Sequence, residues 1–331
     1  MEKAARLAAA ALTLTLTLAL ASSASLASAA PPPADESSAL RPLAEKSLLL
    51  DVEAAGSRLV AVGERGHVLL SDDQGASWKQ VVVPTTALLT GVAFADAQLG
   101  LAVGHDSTIL RTTDGGLKWE RVHVDREADA PLFDVFFVDA TRAFAVGAYG
   151  SFLESADGGT TWAPRPITES DAHYHHLSRA ASGVLYLAGE GGLLLRSDDA
   201  GDTWREVAVP YEGSLFGTLP LEGDALLLFG LRGHALSSPD GGRTWTPLET
   251  GIDTMLTSAA RLKDGRIVMA GLAGVVLVSG DGGRTFALHG RADRLGVQAM
   301  TPTPDGGLAL CGEFGVKKLA TADVAAAEGT R

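Results

Sequence analysis

Cysteine is almost absent from this chain, since Cys311 is the single one in 331 residues. The fold must therefore be stable without internal disulfide bonds. Cys311 lies in the apolar run 308–311, where we expect a small buried hydrophobic side chain rather than a reactive thiol.

Basic residues are also scarce relative to acidic ones, with 27 Lys and Arg against 40 Asp and Glu and a formal net charge of −13. A surface of this charge disfavours nucleic acid and anionic membranes as partners. A helical period is missing throughout the repetitive part of the sequence, which argues against an α-helical domain. The sequence therefore predicts an all-β protein with no nucleic-acid partner.

Long apolar runs are limited to the N-terminus, where residues 7–20 follow Lys3 and Arg6. Small residues come next, and Ala27-Ser28-Ala29 has the pattern of a cleavage site. We predict a signal peptide over residues 1–29, since the run is short for a membrane span, and a flexible lead-in over residues 30–38. The expected location is the periplasm, or the thylakoid lumen in a photosynthetic organism.

An octapeptide with the pattern Ser/Thr-x-Asp-x-Gly-x-Thr/Ser-Trp occurs six times, as at residues 238–245. Lys118 and Phe286 are the two departures from it. The closing aromatic residues are spaced by 41, 43, 42, 41 and 41 positions, which is the signature of a repeat protein. We interpret the shared aspartates as structural, because Asp, Gly and Ser/Thr together stabilise turns. They are Asp73, Asp114, Asp157, Asp199, Asp240 and Asp281.

A second element, an apolar strand followed by Gly-x-x-Gly, occurs seven times, with Ser107 replacing the second glycine in one copy. One unit reads as four short strands, which we place at residues 88–94, 100–103, 108–112 and 119–124. Four antiparallel strands per unit of about 41 residues predict a seven-bladed β-propeller over residues 39–323, with a C-terminal tail at 324–331. The last unit lacks its octapeptide, so we expect residues 39–43 to supply its fourth strand and close the ring.

These motifs resemble the Asp-box (BNR) repeat, and the fuller unit resembles the photosystem II stability and assembly factor family over about residues 44–319. The resemblance implies a non-enzymatic protein without a cofactor that binds a protein partner, such as a membrane-protein assembly intermediate. Relatives outside photosynthesis imply an accessory protein of an envelope transporter as an alternative. We expect a monomer.

Within a propeller the Gly-x-x-Gly turns and the linkers into the first strands share one face, and the octapeptides lie on the other. We therefore place the partner-binding residues on the first face and around the channel. The candidates at the turns are Glu64, Arg65, His105, Asp106, Tyr149, Glu190, Arg232, Glu313 and Phe314. Equal distance to the glycine pair places Thr90, Phe133, His175, Phe216, Thr257 and Gln298 beside the channel, followed by Asp134 and His176 in two blades.

His173-Tyr174-His175-His176 is the most unusual local cluster. His173 and His175 point the same way on a strand, but no third ligand has a useful spacing, so we predict a histidine-lined binding rim and no metal. A sialidase-like glycoside hydrolase is the alternative function, with Asp134 and Glu190 as the candidate carboxylate pair. The Arg-Ile-Pro element expected before the first repeat of a sialidase is missing, and the most similar sequence there is Leu40-Arg41-Pro42-Leu43.

Overall fold

A computed structural model describes residues 36–319, which form seven antiparallel sheets arranged in chain order. The first strands are β1 Leu49–Ala55, β5 Leu89–Phe94, β9 Leu132–Phe137, β13 Tyr174–Arg179, β17 Leu215–Pro220, β21 Leu256–Arg261 and β25 Val297–Pro302. The second strands are β2 Arg58–Gly63, β6 Gly100–Gly104, β10 Ala143–Gly147, β14 Leu185–Gly189, β18 Leu226–Gly230, β22 Ile267–Gly271 and β26 Leu308–Gly312. The third strands are β3 Val68–Ser71, β7 Ile109–Thr112, β11 Phe152–Ser155, β15 Leu194–Ser197, β19 Ala235–Ser238, β23 Val275–Ser279 and β27 Gly315–Leu319. The fourth strands are β4 Lys79–Val81, β8 Glu120–His123, β12 Ala163–Pro164, β16 Arg205–Glu206, β20 Thr246–Leu248 and β24 Ala287–Gly290.

The first strands form the inner ring of a propeller, because each packs against the first strand of the next blade and β25 packs against β1. Six blades have four strands, and the seventh has three among the described residues. The prediction of a seven-bladed all-β propeller is confirmed. None of the short helical turns in residues 36–319 has the length and hydropathy of a membrane span.

Seven apolar clusters form the core, and each combines side chains from two adjacent blades. The second strands are buried along their length apart from Arg58, because neighbouring blades cover both faces of each sheet. Burial on both faces explains why these strands read as continuous apolar runs in the sequence.

Packing between the first and last blades closes the ring. Leu49, Leu59 and Leu69 of the first blade share a cluster with Ala309 and Cys311 of the last. Cys311 is fully buried there, as expected for a small hydrophobic side chain. Within residues 36–319, apolar contacts therefore join the first and last blades, and no strand from the N-terminal segment is added to the last blade.

The prediction that residues 39–43 form the fourth strand of the last blade is wrong. They form no strand, and Gln80 of the first blade accepts a hydrogen bond from Arg41 N (2.7 Å) and donates one to the Ala39 carbonyl (3.1 Å). Pro42 lacks the amide hydrogen that a strand ladder needs. These residues therefore lie along the outer strand of the first blade, and the following turn, Ala44–Lys46, contacts both β4 and β27.

The end of the lead-in is also held on the propeller. Glu36 forms ion pairs with Arg121 (2.6 Å) and Arg126 (3.1 Å), and Ser38 N donates to the Val83 carbonyl (2.9 Å). The predicted signal peptide and C-terminal tail lie outside the described residues.

The Gly-x-x-Gly turns have a steric basis, seen clearly in the third blade. A Cβ at Gly147 would collide with the Pro131 carbonyl oxygen of the linker, which the Ala148 amide binds (2.9 Å). Gly150 adopts φ +69°, a conformation that favours glycine. The turn thus fixes the linker that enters the inner strand, and with it the position of the channel wall.

Candidate functional site

Every inner strand contains a β-bulge at the same position near its start. A bulge leaves one residue unpaired and redirects its side chain. All seven unpaired residues line a central cavity of about 750 Å³. In chain order these bulge residues are Leu50, Thr90, Phe133, His175, Phe216, Thr257 and Gln298.

The structure places all six sequence-predicted channel positions in this layer and adds Leu50, which sequence reasoning missed. Leu50 lies 13 residues before Gly63, whereas Thr90 lies 14 before Gly104. A search for residues 14 positions before the glycine therefore misses Leu50, because the connection between the first two strands is shorter in the first blade. A large apolar residue directly before each bulge was the signal that could have identified it: Leu49, Leu89, Leu132, Tyr174, Leu215, Leu256 and Val297.

Several bulge residues join neighbouring blades. The Thr90 hydroxyl donates to the Leu132 carbonyl of the next blade (2.6 Å), and the Thr257 hydroxyl donates to the equivalent Val297 carbonyl (2.8 Å). His175 Nδ1 lies 2.9 Å from the equivalent Leu215 carbonyl, and since a carbonyl only accepts, this nitrogen carries the proton. The bulge layer is therefore rigid where these contacts occur.

The residue after the bulge makes a second set of contacts between blades. Asp51 accepts a hydrogen bond from Val92 N of the next blade (2.8 Å), and Asp134 accepts one from Leu177 N (2.7 Å). Each carboxylate also accepts one from the amide that follows it in its own strand. Both oxygens are thus engaged by main-chain amides, a strong arrangement for an ionised acceptor.

Burial in the cavity wall changes the protonation of these groups. Desolvation raises the pKa of Asp51, Glu53 and Asp134 to about 7 in each case, against the main-chain hydrogen bonds that lower it. Burial also lowers the pKa of His176 to about 4, and its Nδ1 has no hydrogen-bond partner among the described residues. At neutral pH the wall therefore carries partial negative charge and a neutral imidazole.

Five rings form a continuous strip from the channel to the tip of the third blade, which we name the aromatic belt: Tyr149, His173, Phe133, His175 and Phe216. Tyr149 packs edge-on against His173, with ring centroids 4.9 Å apart. Phe133 lies 6.0 Å from both histidine rings, and His175 stacks on Phe216 at 4.9 Å. The belt spans three blades, and its order could not be read from the sequence because its members are up to 83 positions apart.

Tyr149 is the most exposed member of the belt, with a relative accessibility of 63%. Its φ of 54° is in the left-handed region, which is unfavourable for a bulky residue. A large exposed aromatic ring at the tip of a turn is more typical of a binding role than of a stabilising one.

The other turn residues lie around this rim. Arg65 and Arg232 occupy the same left-handed turn position as Tyr149 in their own blades. Glu190 Oε2 accepts a hydrogen bond from His173 N (3.3 Å) and lies 4.0 Å from His173 Nε2. Three further candidates at turn tips are exposed, namely His105, Asp106 and Glu313, and Glu64 is half-exposed.

Phe314 does not belong to the exposed face, and its assignment there is corrected. Only 7% of its surface is accessible, and it packs in the cluster between the last two blades. The Arg291 guanidinium lies over its ring at 3.9 Å. Its neighbour Glu313 instead points back to the linker, where it accepts a hydrogen bond from Gly296 N (2.7 Å).

The histidine cluster divides between different environments. His173 and His175 belong to the aromatic belt, with ring centroids 6.5 Å apart, whereas His176 lies in the second layer of the wall. Within residues 36–319, no group of three or more His, Cys, Asp or Glu side chains is arranged to hold a metal ion.

The octapeptide aspartates lie at the opposite end of the blades and organise turns. Asp240 accepts hydrogen bonds from Thr244 N (2.8 Å), the Thr244 hydroxyl (2.7 Å) and the Ser238 hydroxyl (2.9 Å). These bonds lower the pKa of Asp240 to about 2. In the second blade Lys118 has no hydroxyl, and Asp114 binds only its amide (2.9 Å).

Comparison with known proteins identifies a matching family. The family model for photosynthesis system II assembly factor YCF48 matches residues 70–132 and 122–313. No curated protein matches the sequence.

Solved structures share the fold at low identity. YCF48 bound to D1 peptide has 20% identity and a TM-score of 0.68, over 87% of this chain and 99% of that one. YCF48 from Cyanidioschyzon merolae has 17% identity and a TM-score of 0.68, over 84% and 97%. The WD40 propeller domain of Doa1 reaches a TM-score of 0.66 at 14% identity, over 83% and 93%. At these identities the likeness shows the fold alone.

Proposed function

The chain belongs to the photosynthesis system II assembly factor YCF48 family, and from this we propose that it is a non-enzymatic exported protein that binds an extended segment of a membrane-protein partner at the aromatic belt. The partner is a subunit or assembly intermediate of a membrane complex. An envelope transporter is the alternative setting, and the same surface serves both.

The aromatic belt is the observation that carries this proposal. Rigid rings bury large apolar areas at little cost in conformational entropy, and aromatic residues dominate the binding energy of protein interfaces. The belt also leads from an exposed tip, Tyr149, to the cavity lined by Phe133 and Phe216. A surface of this shape suits a segment that lies across the face and places one side chain in the channel.

Two further observations support a peptide-like partner. One solved structure of similar fold is a complex of YCF48 with a D1 peptide, which is a property of that protein and a precedent for this one. The N-terminal sequence, with Lys3 and Arg6 before an apolar run, supports export to a compartment where membrane proteins expose such segments.

The glycoside hydrolase alternative gains no support from the candidate carboxylates. Both oxygens of Asp134 accept hydrogen bonds from main-chain amides, one of them in the next blade, so this carboxyl is held in the wall as a contact between blades. Glu190 lies at an exposed turn against His173 and does not line the cavity. Retaining and inverting hydrolases require two carboxyl groups on either side of one bond.

Photo-crosslinking in native membranes tests the proposal directly. A benzophenone amino acid replaces Tyr149 in one variant and Leu117, an exposed residue of an octapeptide turn on the opposite face, in a matched control. We expect the Tyr149 position to yield a discrete adduct with a membrane protein and the Leu117 position to yield none. Equal labelling from both positions, or an adduct only from Leu117, would contradict the proposed site.

A further inference from the structure

Exposed carboxylates surround the aromatic belt on the turn face. Glu190 lies against His173, and its charge also acts on His175. Asp171 lies in the linker that packs on the turn of Tyr149, since Gly150 N donates to the Ala172 carbonyl (3.0 Å). Glu212 borders Gly192, at the turn that carries Glu190. These acidic residues belong to three neighbouring elements, so their grouping is not visible in the sequence.

Cations near the belt on the turn face are few or already paired, and Arg179 and Arg261 line the same cavity only at the other end of the inner strands. Arg126, on the linker before the third blade, binds Glu36 at 3.1 Å and lies 3.8 Å from Asp106. Arg232 stands at the border of the belt, where its charge acts on Tyr211. The exposed charged side chains nearest the belt are therefore mainly acidic, in keeping with the net charge of the chain.

The rings themselves favour a cation. The faces of phenylalanine rings carry the negative part of the ring quadrupole and attract ammonium and guanidinium groups. Phe133 and Phe216 both line the cavity, on either side of His175. Asp51 and Asp134 lie one residue deeper in the same wall. A cation that enters the cavity beside these two rings thus passes from aromatic side chains to carboxylates.

We propose that the aromatic belt selects a cationic segment of its partner, with a lysine or arginine side chain inserted into the cavity against Phe133 and Phe216. This inference rests on the proposed function and specifies the chemistry of the partner. The flanking carboxylates Asp171, Glu190 and Glu212 accelerate the encounter through long-range attraction, and the ring faces hold the inserted group. A neutral or acidic segment lacks both contributions.

Selection from a phage-displayed library of random dodecapeptides at low ionic strength provides the probe. We expect the peptides enriched on the wild-type protein to have a higher content of Lys and Arg than the unselected library. Affinities of a selected peptide are then measured by calorimetry, together with a version in which its Lys and Arg residues are replaced by Gln. The replacement is expected to weaken binding by about tenfold, the scale of a cation–π contact with a desolvated ring.

Protein variants locate the contact. Phe133→Leu and Phe216→Leu keep apolar volume but remove the ring faces, and each is expected to weaken the selected peptide by about fivefold to tenfold. Glu190→Gln combined with Asp171→Asn should reduce the association rate and its dependence on salt. Leu117→Ala, on the opposite face, is the matched control and should leave the affinity unchanged. Unaltered thermal melting of each variant shows that the fold is intact.

The outcomes separate this inference from the proposed function. Enrichment of neutral or acidic peptides whose binding still depends on Phe133 and Phe216 overturns the cationic preference and leaves the protein-binding site in place. Enriched peptides that are insensitive to both phenylalanine variants, or no enrichment at all, overturn the inference and the proposed site together.

Discussion

Asp134 Oδ2 accepts a hydrogen bond of 2.7 Å from Leu177 N. A side chain of the third blade thus binds a main-chain amide in the inner strand of the fourth blade. The inner strands do not pair with one another as a sheet, and such side-chain acceptors supply the missing partners. Asp51 and Ser258 play the same part for Val92 and Met300 at two other junctions.

Replacement of Asp134 by asparagine should lower stability. Its two oxygens accept from Val135 N and Leu177 N, and an amide side chain presents an NH2 group to one of these donors. Leaving one buried donor unsatisfied costs about 1–3 kcal/mol. Urea unfolding at pH 7.5 measures the loss. The exposed Asp171→Asn is the control, and a comparable loss in both variants would remove the special role of Asp134.

The pH dependence of stability should report the buried carboxyls. Desolvation raises the pKa of Asp51 to about 7, from 3.8 for an ordinary aspartate side chain. Between these two values the folded state binds more protons than the unfolded state, so this group's contribution to stability declines as pH rises from about 4 to 7.

The Asp51→Asn variant tests this sign because it removes the titration. The free energy of unfolding of the variant, relative to wild type, should rise by at least about 1 kcal/mol between pH 5 and pH 8, since one unit of pKa shift corresponds to about 1.4 kcal/mol. Denaturant titrations at both pH values give the difference. A constant difference would show that Asp51 is ionised at pH 5 in the folded protein.

The octapeptide of the second blade lacks one hydrogen bond that the equivalent octapeptides of other blades have. Thr161, Thr203 and Thr244 each donate their hydroxyl to the second oxygen of the turn aspartate (2.6–2.7 Å), whereas Lys118 only offers its amide to Asp114. Lys118→Thr should therefore stabilise the protein by about 0.5–1 kcal/mol, the usual net value of a hydrogen bond. Lys118→Val, which matches threonine in shape but has no hydroxyl, is the control in thermal unfolding. Equal melting temperatures for the two variants would refute the hydrogen-bond account.

The sequence predicted the fold well because the repeat reports backbone geometry directly. Glycine at Gly147 and Gly150 is required by steric contact and by a left-handed turn, so its period marks the blades. The strands predicted for the second unit agree with β5 to β8 to within one residue at every end. The prediction of a fourth strand for the last blade was wrong because residues 39–43 carry no such local requirement.

The site was predicted less completely, for a physical reason. Equivalent positions in the repeats indicated Phe133, His175 and Phe216, but their contacts depend on bulges that sequence patterns do not reveal. Phe314 illustrates the opposite error, since a turn position does not show whether the side chain folds inward. In both cases the position of the side chain depends on packing between blades, whose residues are far apart in the sequence.

Tyr149 provides a test that separates stability from binding. Its φ of 54° is shared by Ala273 (φ 56°) at the equivalent turn of the sixth blade, outside the aromatic belt. Glycine relieves the steric cost of this conformation, an effect of about 1 kcal/mol that the greater entropy of unfolded glycine partly offsets. Tyr149→Gly and Ala273→Gly should both raise the melting temperature slightly.

Only Tyr149→Gly should weaken partner binding, because it removes the exposed ring that packs on His173 at 4.9 Å. Loss of binding in both variants would point to a general change at the turns, and full binding by Tyr149→Gly would exclude its ring from the interface.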